Sequence, residues 1–517
     1  MTSPGVPATS ESSSPKRWLP WLLIALFLLS VLIRLPNLNR PLAGHHEWVT
    51  AHVLIVLDLW QQSGLSTFHF NPVITWQNPG DAGIGWHGYL LLQDKLGNYY
   101  HASYPLLGYY LPYFVFKILH QPPSPLGLEV FNLCLAALST CLIYRAIVRL
   151  YSDKGPDGRT AAAWATVCYI FTPGTLWFQS NPYFIDMLMQ PLLIFWLAAC
   201  VPLFSEETVQ KRHWFMAGLA LALLALTEWI ALFCFVSLVG LFLLDGRWKL
   251  HWKKLLILGL VLTVAFVATA MVLSLICGFR ETIGFIIGKY LQKSGYAASH
   301  GTAPGLKAVY WIFRYYVNAF NGLFLLLLVQ GLLCWLSKVR KFSCNKREAG
   351  LLVLSLAPVL MHHVALFGFT SGHDYSTLKT APFFCFLSAM LYFRLTMREG
   401  NFARPRAQKL ALAVLAVTTL VSILSYYQQN DPRKKDESLF TLGKYLAKNA
   451  NDNELICLGT PANTVEPQIS YYARRSILFY ESDAQVHEHM QQQGLKRALI
   501  VTVDDRHTIL SSKWIEL

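Results

Sequence analysis

Apolar residues fall in long runs near 18–36, 126–148, 160–177, 186–204, 213–227, 229–244, 255–276, 317–336, 349–369, 380–397 and 409–427. Most run to roughly 17–25 residues, the length at which a helix crosses the hydrocarbon core of a bilayer. The pattern predicts an all-α polytopic membrane protein of about eleven transmembrane helices. The stretch at 104–119 is shorter and holds Pro105, Gly108, Pro112 and Lys117, so it reads as a helix lying in the membrane interface. The polar pair Thr227-Glu228 splits 213–244 into two helices joined by a tight outer turn. After residue 430 the pattern changes. Short β-type runs at 454–459, 477–480 and 498–503 alternate with helical stretches at 437–450, 467–474 and 483–493, the signature of a small α/β domain. Three regions follow: a disordered tail at 1–16, a membrane module at 17–430 with large outer loops at 37–125 and 277–316, and an extracytoplasmic α/β domain at 431–517.

Charge orients the module. Lys16 and Arg17 precede the first run, and basic clusters occupy 145–159, 211–212, 247–254, 338–347 and 394–409. All of them lie inside if the N-terminus is cytoplasmic and 104–119 does not span, as the excess of Lys and Arg on cytoplasmic loops requires. The C-terminus is then outside, in a multi-pass protein of the plasma (inner) membrane. The chain has 43 Lys and Arg against 29 Asp and Glu, a net charge of +14, with 54% apolar and only 14% charged residues. Soluble multidomain architectures are excluded, and the excess positive charge belongs to loops facing anionic lipid rather than to nucleic acid. The ten cysteines show no C-x-x-C pair, and eight sit in apolar runs, so neither a disulfide framework nor a zinc site is indicated.

Ionisable residues at the mouth of a helical bundle are costly and need an account. Four places qualify. In Gly44-His45-His46-Glu47-Trp48, Glu47 opens a helix; Asp58 shares its face about 16 Å further along, too far for a catalytic pair. Asp186 opens the helix after Asn181-Pro182-Tyr183. Both acids also suit a structural role, complementing a helix dipole. The short loop at 371–379 carries His373, Asp374, Tyr375 and Lys379, more chemistry than a turn requires. The outer loop 277–316 collects Arg280, Lys289, Lys293, Lys307 and Arg314 against the single acid Glu281. A phosphate-bearing ligand would justify those cations, and contact with lipid headgroups would explain them equally well.

The ordered set of motifs resembles the GT-C membrane glycosyltransferases, with bacterial relatives of protein O-mannosyltransferases and lipid A aminoarabinose transferases nearest. Arg34-Leu35-Pro36 through His46-Glu47 and Ala51 sits where that family has an Asp-Glu pair. Gly97-Asn98-Tyr99-Tyr100-His101-Ala102-Ser103-Tyr104-Pro105 is similar to its Gly-x-Tyr-Tyr segment, Asp186 to its second acid, and His373-Asp374-Tyr375 with Pro382 to its His-x-Tyr segment. Two departures stand out. His46 replaces the first acid of the pair, and Leu226-Thr227-Glu228 stands where many relatives have Leu-Thr-Lys. The resemblance implies a polyprenyl-phosphate-linked sugar as donor, transferred with inversion to a glycan, lipid or protein acceptor. Glu47 and Asp186 are then the catalytic carboxylates. His46, Tyr100, His101, Glu228, Lys289, Lys293, Arg314, His373, Asp374, Tyr375 and Lys379 are the substrate-binding set, and His46, His373 and Asp374 could hold a divalent metal ion, the one cofactor in view. Rival readings are a lipid or glycan transporter, a membrane-anchored scaffold, and a polysaccharide ligase or polymerase. A transporter generally carries charge at the bilayer midplane and repeated halves, whereas here the acids gather at one end.

Overall fold

The computed structural model describes residues 18–204, 209–295, 305–336, 344–397, 404–434 and 436–517; the tail expected at 1–16 lies outside them. Eight helices among the described residues are long and apolar enough to cross a membrane: Leu19–Asn37, Pro125–Leu150, Ile185–Phe204, Trp248–Cys277, Leu306–Leu336, Lys346–Ala365, Asp374–Thr396 and Arg406–Gln429. The other three expected spans are shorter. The run at 160–177 is not one helix: Gly155–Ile170 stops, and Pro173–Phe178 starts again behind the Thr172 cap, with Pro173 in the first turn where its missing N–H costs nothing. Lys211–Ala225 and Ile230–Leu244 are separate helices, broken at the Thr227-Glu228 pair, where the Glu228 carboxylate accepts the Ile230 N–H at 2.5 Å.

The segment 277–316, expected as a loop, is largely helical. Gly278 at φ +98° breaks the chain after Trp248–Cys277, and the helix Phe279–Ser294 follows directly. Leu306–Leu336 then begins well before the expected span and kinks at Phe320. Gly368 lets this region close up: a Cβ there would meet the Gly295 backbone at 2.8 Å, so Phe279–Ser294 packs directly against the short helix Phe367–Gly372.

One face of Trp248–Cys277 exposes Leu256, Ile257, Leu260, Val264, Val267 and Met271. A row of this length, whose one polar member Thr263 gives its hydroxyl to the Gly259 carbonyl, would be an aggregation liability in water and is ordinary against acyl chains. In contrast, every residue of the helix Trp48–Ser63 from Val49 to Trp60 is buried, which makes the first loop a rigid cap rather than a tether.

That cap is locked to the C-terminal region. Strands Leu455–Gly459, Leu478–Phe479, Arg497–Val503 and Ile509–Glu516 form one sheet in which the first lies between the second and third, parallel to both, while the fourth runs antiparallel along the third. Helix Ser438–Asn449 precedes the first strand, and Pro467–Ala473 and Asp483–Gln493 lie between the first and second and the second and third strands in sequence. The fourth strand was not expected from sequence because it is an exposed edge with no sustained apolar alternation. Arg475 pairs with Asp81 of the first loop at 3.0 Å and also donates to the Asn451 and Glu454 carbonyls, and the Trp76 N–H reaches Ser476 Oγ at 2.9 Å. Both partners of that ion pair are buried, at 4% and 0% side-chain exposure. Removing one partner of such a pair strands the other charge, so Arg475→Ala should destabilise the protein by about 3–5 kcal/mol. Arg474→Ala, which frees an exposed arginine from Asp58, should cost under about 1 kcal/mol. Thermal unfolding of the two variants side by side checks the difference.

Candidate functional site

The turn Gly44–Glu47 is built around a carboxylate. Glu47 folds back so that its oxygens accept the N–H groups of Ala43 at 2.9 Å and Gly44 at 2.6 Å, and Arg40 at 2.7 Å. Burial pushes its pKa up, while Arg40 and the two N–H groups pull it down. Its lone pairs are committed to shaping the loop. The residue this presents is His46, held at φ +60°, a strained conformation for a side chain of its size and a mark of functional sites.

His46 Nε2 lies 2.9 Å from Asp374 Oδ1, and His45 Nε2 lies 2.7 Å from Asp374 Oδ2. Trp48 Nε1 donates to His46 Nδ1 at 3.3 Å. A neutral imidazole that accepts at Nδ1 carries its proton on Nε2, the atom that faces Asp374. Burial, the dominant influence, lowers the His46 pKa and favours that neutral form. His373 stacks on His46 with ring centroids 6.0 Å apart, and Tyr375 meets it edge-on at 5.1 Å. The ligand atoms of His45, His46 and Asp374 lie within 4.8 Å of one another. Two imidazoles and a carboxylate are the donor types of zinc and manganese sites, so these three residues fit a divalent ion; His373 stands beside them, its Nδ1 on the Phe369 carbonyl.

Asp186 lies elsewhere. It ion-pairs with Lys379, which lies 3.9 Å from Glu228, which in turn meets His362 at 3.0 Å. All four side chains are within 1% of full burial. This chain of alternating charge is buried, with Lys379 Nζ 5.8 Å from the centre of the Phe369 ring and its charges close enough to act on Lys293. Tyr100 is also buried, its hydroxyl donating to Asp94 at 2.7 Å. Of the sequence-derived carboxylates, Glu47 and Asp186 are thus buried and paired, whereas Asp374 borders a cavity.

Three cavities bear on the site, and of the His46–Asp374 pair only Asp374 lines one of them, the third. The first, about 360 Å³, is an almost wholly apolar groove between Trp229, Leu232, Phe233, Phe285, Ile286 and Leu366. It ends at Ser103, Lys289 and Lys293, which also border a chamber of about 240 Å³ lined by Tyr89, His101, Tyr104, His373 and Tyr375. The two lysines therefore stand at the join. Lys293 lies 3.7 Å over the Tyr104 ring. Burial lowers Lys289 to about 8, and burial with Lys289 close by lowers Lys293 to about 7. The third cavity, about 300 Å³, is lined by Asp374, His45 and Arg314 and shares no lining residue with the other two. Arg314 is thereby separated from the two lysines with which sequence grouped it.

No protein-family model and no curated protein sequence matches the chain. Solved structures do. ArnT from Cupriavidus metallidurans bound to undecaprenyl phosphate superposes with a TM-score of 0.62 over 94% of this chain and 93% of its own, at 12% identity. AglB, the oligosaccharyltransferase of Archaeoglobus fulgidus in complex with an inhibitory peptide and a dolichol-phosphate, gives a TM-score of 0.55 over 94% of this chain and 69% of its own, also at 12% identity. The chain has the GT-C fold.

With the GT-C fold the chain is a multi-pass membrane protein. At 12% identity the likeness extends to the backbone path and not to the role of any residue. Sequence reasoning left His45 and His362 out of the site. His362 was visible in principle, as an ionisable residue within an apolar helix, which calls for a partner. His45 was not, because nothing local shows that it reaches a residue 329 positions away.

Proposed function

We propose that this protein is an integral-membrane glycosyltransferase that moves a sugar from a polyprenyl-phosphate donor to an acceptor, with inversion at the anomeric carbon. The observation that carries the reading is the groove that ends at Lys289 and Lys293, where it meets the chamber lined by His373 and Tyr375, the chain neighbours of Asp374. An isoprenoid tail needs an apolar slot, its phosphate needs cations, and the sugar needs a polar, aromatic chamber beyond them. These needs match the groove, the lysines and the chamber in that order. The GT-C neighbours support it, because one holds undecaprenyl phosphate and another a dolichol-phosphate.

The base is Asp374 rather than Glu47 or Asp186. Its carboxylate, oriented by His45 and His46, takes the proton of the acceptor hydroxyl. The acceptor oxygen bonds to the anomeric carbon, the bond from that carbon to the phosphate oxygen breaks, and its electron pair leaves on the lipid phosphate. Lys289 and Lys293 neutralise the charge that develops there. A divalent ion bound at His45, His46 and Asp374 would supply positive charge that eases ionisation of the acceptor. In the membrane, the helices Gly155–Ile170, Lys211–Ala225 and Ile230–Leu244 cross as well, giving eleven spans. The N-terminus is cytoplasmic, and the site and C-terminus face the outside of the inner membrane.

Incubating the purified protein with prenyl-phosphate sugars and cell-envelope extract should release free lipid phosphate. Absence of release with every donor tried would remove the reading. The lysines add a pH signature. Each loses its charge as pH rises through the range of about 7 to 8, so affinity for undecaprenyl phosphate should fall by about tenfold or more between pH 6.5 and 8.5. Lys289→Ala/Lys293→Ala should show a flat profile. A flat profile in the wild type would take the phosphate away from these lysines.

A further inference from the structure

The third cavity has a chemistry unlike that of the groove. One wall is aromatic, with Trp311 and Tyr315 at 6.1 Å ring separation and Phe178 lining the same space. Asn318, Gln429 and Asn430 line it too; Gln429 Nε2 donates to the Asn318 carbonyl and Ser425 Oγ and Asn430 Nδ2 to the Tyr426 carbonyl, which leaves their amide oxygens as acceptors. Asp374 and His45 line it as well, while the chain neighbours of Asp374, His373 and Tyr375, line the chamber, so the 373–375 segment borders both spaces. Arg314 is held 5.0 Å over the face of Trp311, and no carboxylate pairs with it among the described residues. We infer that this cavity is the acceptor subsite, and that it takes an acidic sugar: a hexose ring against Trp311 and Tyr315, hydroxyls on the amides, one of them at Asp374, and a carboxylate or phosphate substituent on Arg314. The inference rests on the transferase reading and names its acceptor class.

Size and lining decide among acceptors. At about 300 Å³ the cavity stands at the lower end of the roughly 300–1,000 Å³ typical of ligand sites, enough for a single ring and little chain. A lipid tail would require an apolar lining like that of the first groove, and here amides and charges interrupt it. An extended peptide is commonly held through the backbone of a strand edge, and every lining residue except His45 belongs to helical or helix-flanking segments. A sugar ring has apolar C–H faces that stack on indole and phenol, and a hydroxyl rim that pairs with planar amides able to donate and accept. A guanidinium braced by an aromatic ring is a natural partner for a carboxylate or phosphate.

Saturation-transfer NMR on the purified full-length protein, with methyl β-glucuronide, glucose 6-phosphate, methyl β-glucoside and an acetylated serine tripeptide as probes, tests this. Both acidic sugars, or one of them, should bind more tightly than the glucoside. Arg314→Ala should weaken the acidic probes about tenfold or more, as loss of a charge-assisted hydrogen bond predicts, and leave the glucoside unchanged. Trp311→Ala should abolish transfer to all three sugars, and Trp311→Phe, which retains a stacking face, should restore it in part. Sugars that fail to bind, sugars whose binding ignores both variants, or a peptide that binds in a Trp311-dependent way would each overturn the inference. Undecaprenyl phosphate binding by native mass spectrometry on the same preparation separates the two levels. If the lipid binds and the sugars do not, only the acceptor inference falls; if the lipid fails to bind, the transferase reading falls with it.

Discussion

Asp374→Asn is expected to lower sugar transfer by about 100- to 10,000-fold, the range over which a positioned general base acts. The substitution keeps the size of the side chain and one oxygen that can still accept from His45, so the fold should be undisturbed. What it removes is a carboxylate able to take the acceptor proton. Glu47→Gln makes the informative contrast. Its new amide would oppose the Ala43 or Gly44 N–H and give up the Arg40 charge, and breaking this largely buried pair should destabilise the protein by about 3 kcal/mol. The surviving folded fraction should turn over at close to the normal rate. If Glu47→Gln abolished turnover in well-folded protein while Asp374→Asn retained it, the base would be Glu47. Rate per folded molecule, with thermal unfolding recorded beside it, checks both variants.

The second large effect belongs to the lysines. Lys289→Ala/Lys293→Ala at pH 6.5 should raise the donor concentration needed for half-maximal rate by about 100-fold or more. Two charge-assisted contacts at about 1.5–3 kcal/mol each are lost, and every 1.4 kcal/mol is tenfold. The maximal rate should change far less than the donor requirement. Arg314→Ala should leave donor use untouched, since Arg314 lines a different cavity. Sequence placed all three cations in one basic loop, and their shared effect or its absence distinguishes that grouping from the folded one. A fall in maximal rate with an unchanged donor requirement would show that the lysines act on the chemistry and not on donor binding.

The helical framework was legible wherever hydrophobicity alone decides. The turn in 213–244 could be read from two polar residues in an apolar run, and the structure breaks there. The break in 160–177 also had its signal, Pro173 behind a capping threonine, but the apolar run on both sides masked it. Phe279–Ser294 read as loop because Arg280, Lys289 and Lys293 obscure its one buried face, which carries Thr282, Phe285 and Lys289. At the site the limit was different. Periodicity shows where an acid sits on a helix; it does not show which lone pairs are already taken. Glu47 is engaged by N–H groups three and four residues back and by an arginine seven residues back, and one oxygen of Asp186 by a lysine 193 residues on, its Oδ2 having no partner among the described residues. Asp374 was singled out only for weaker duty, because the histidines that orient it come from the far end of the chain.

The most direct test is the structure of the protein with undecaprenyl phosphate. The phosphate should lie within ion-pairing distance of Lys289 and Lys293, with the tail between Trp229, Phe233 and Phe285 and the chamber before His373 left open for a sugar. A lipid phosphate seated away from both lysines, with its tail outside that groove, would contradict the account.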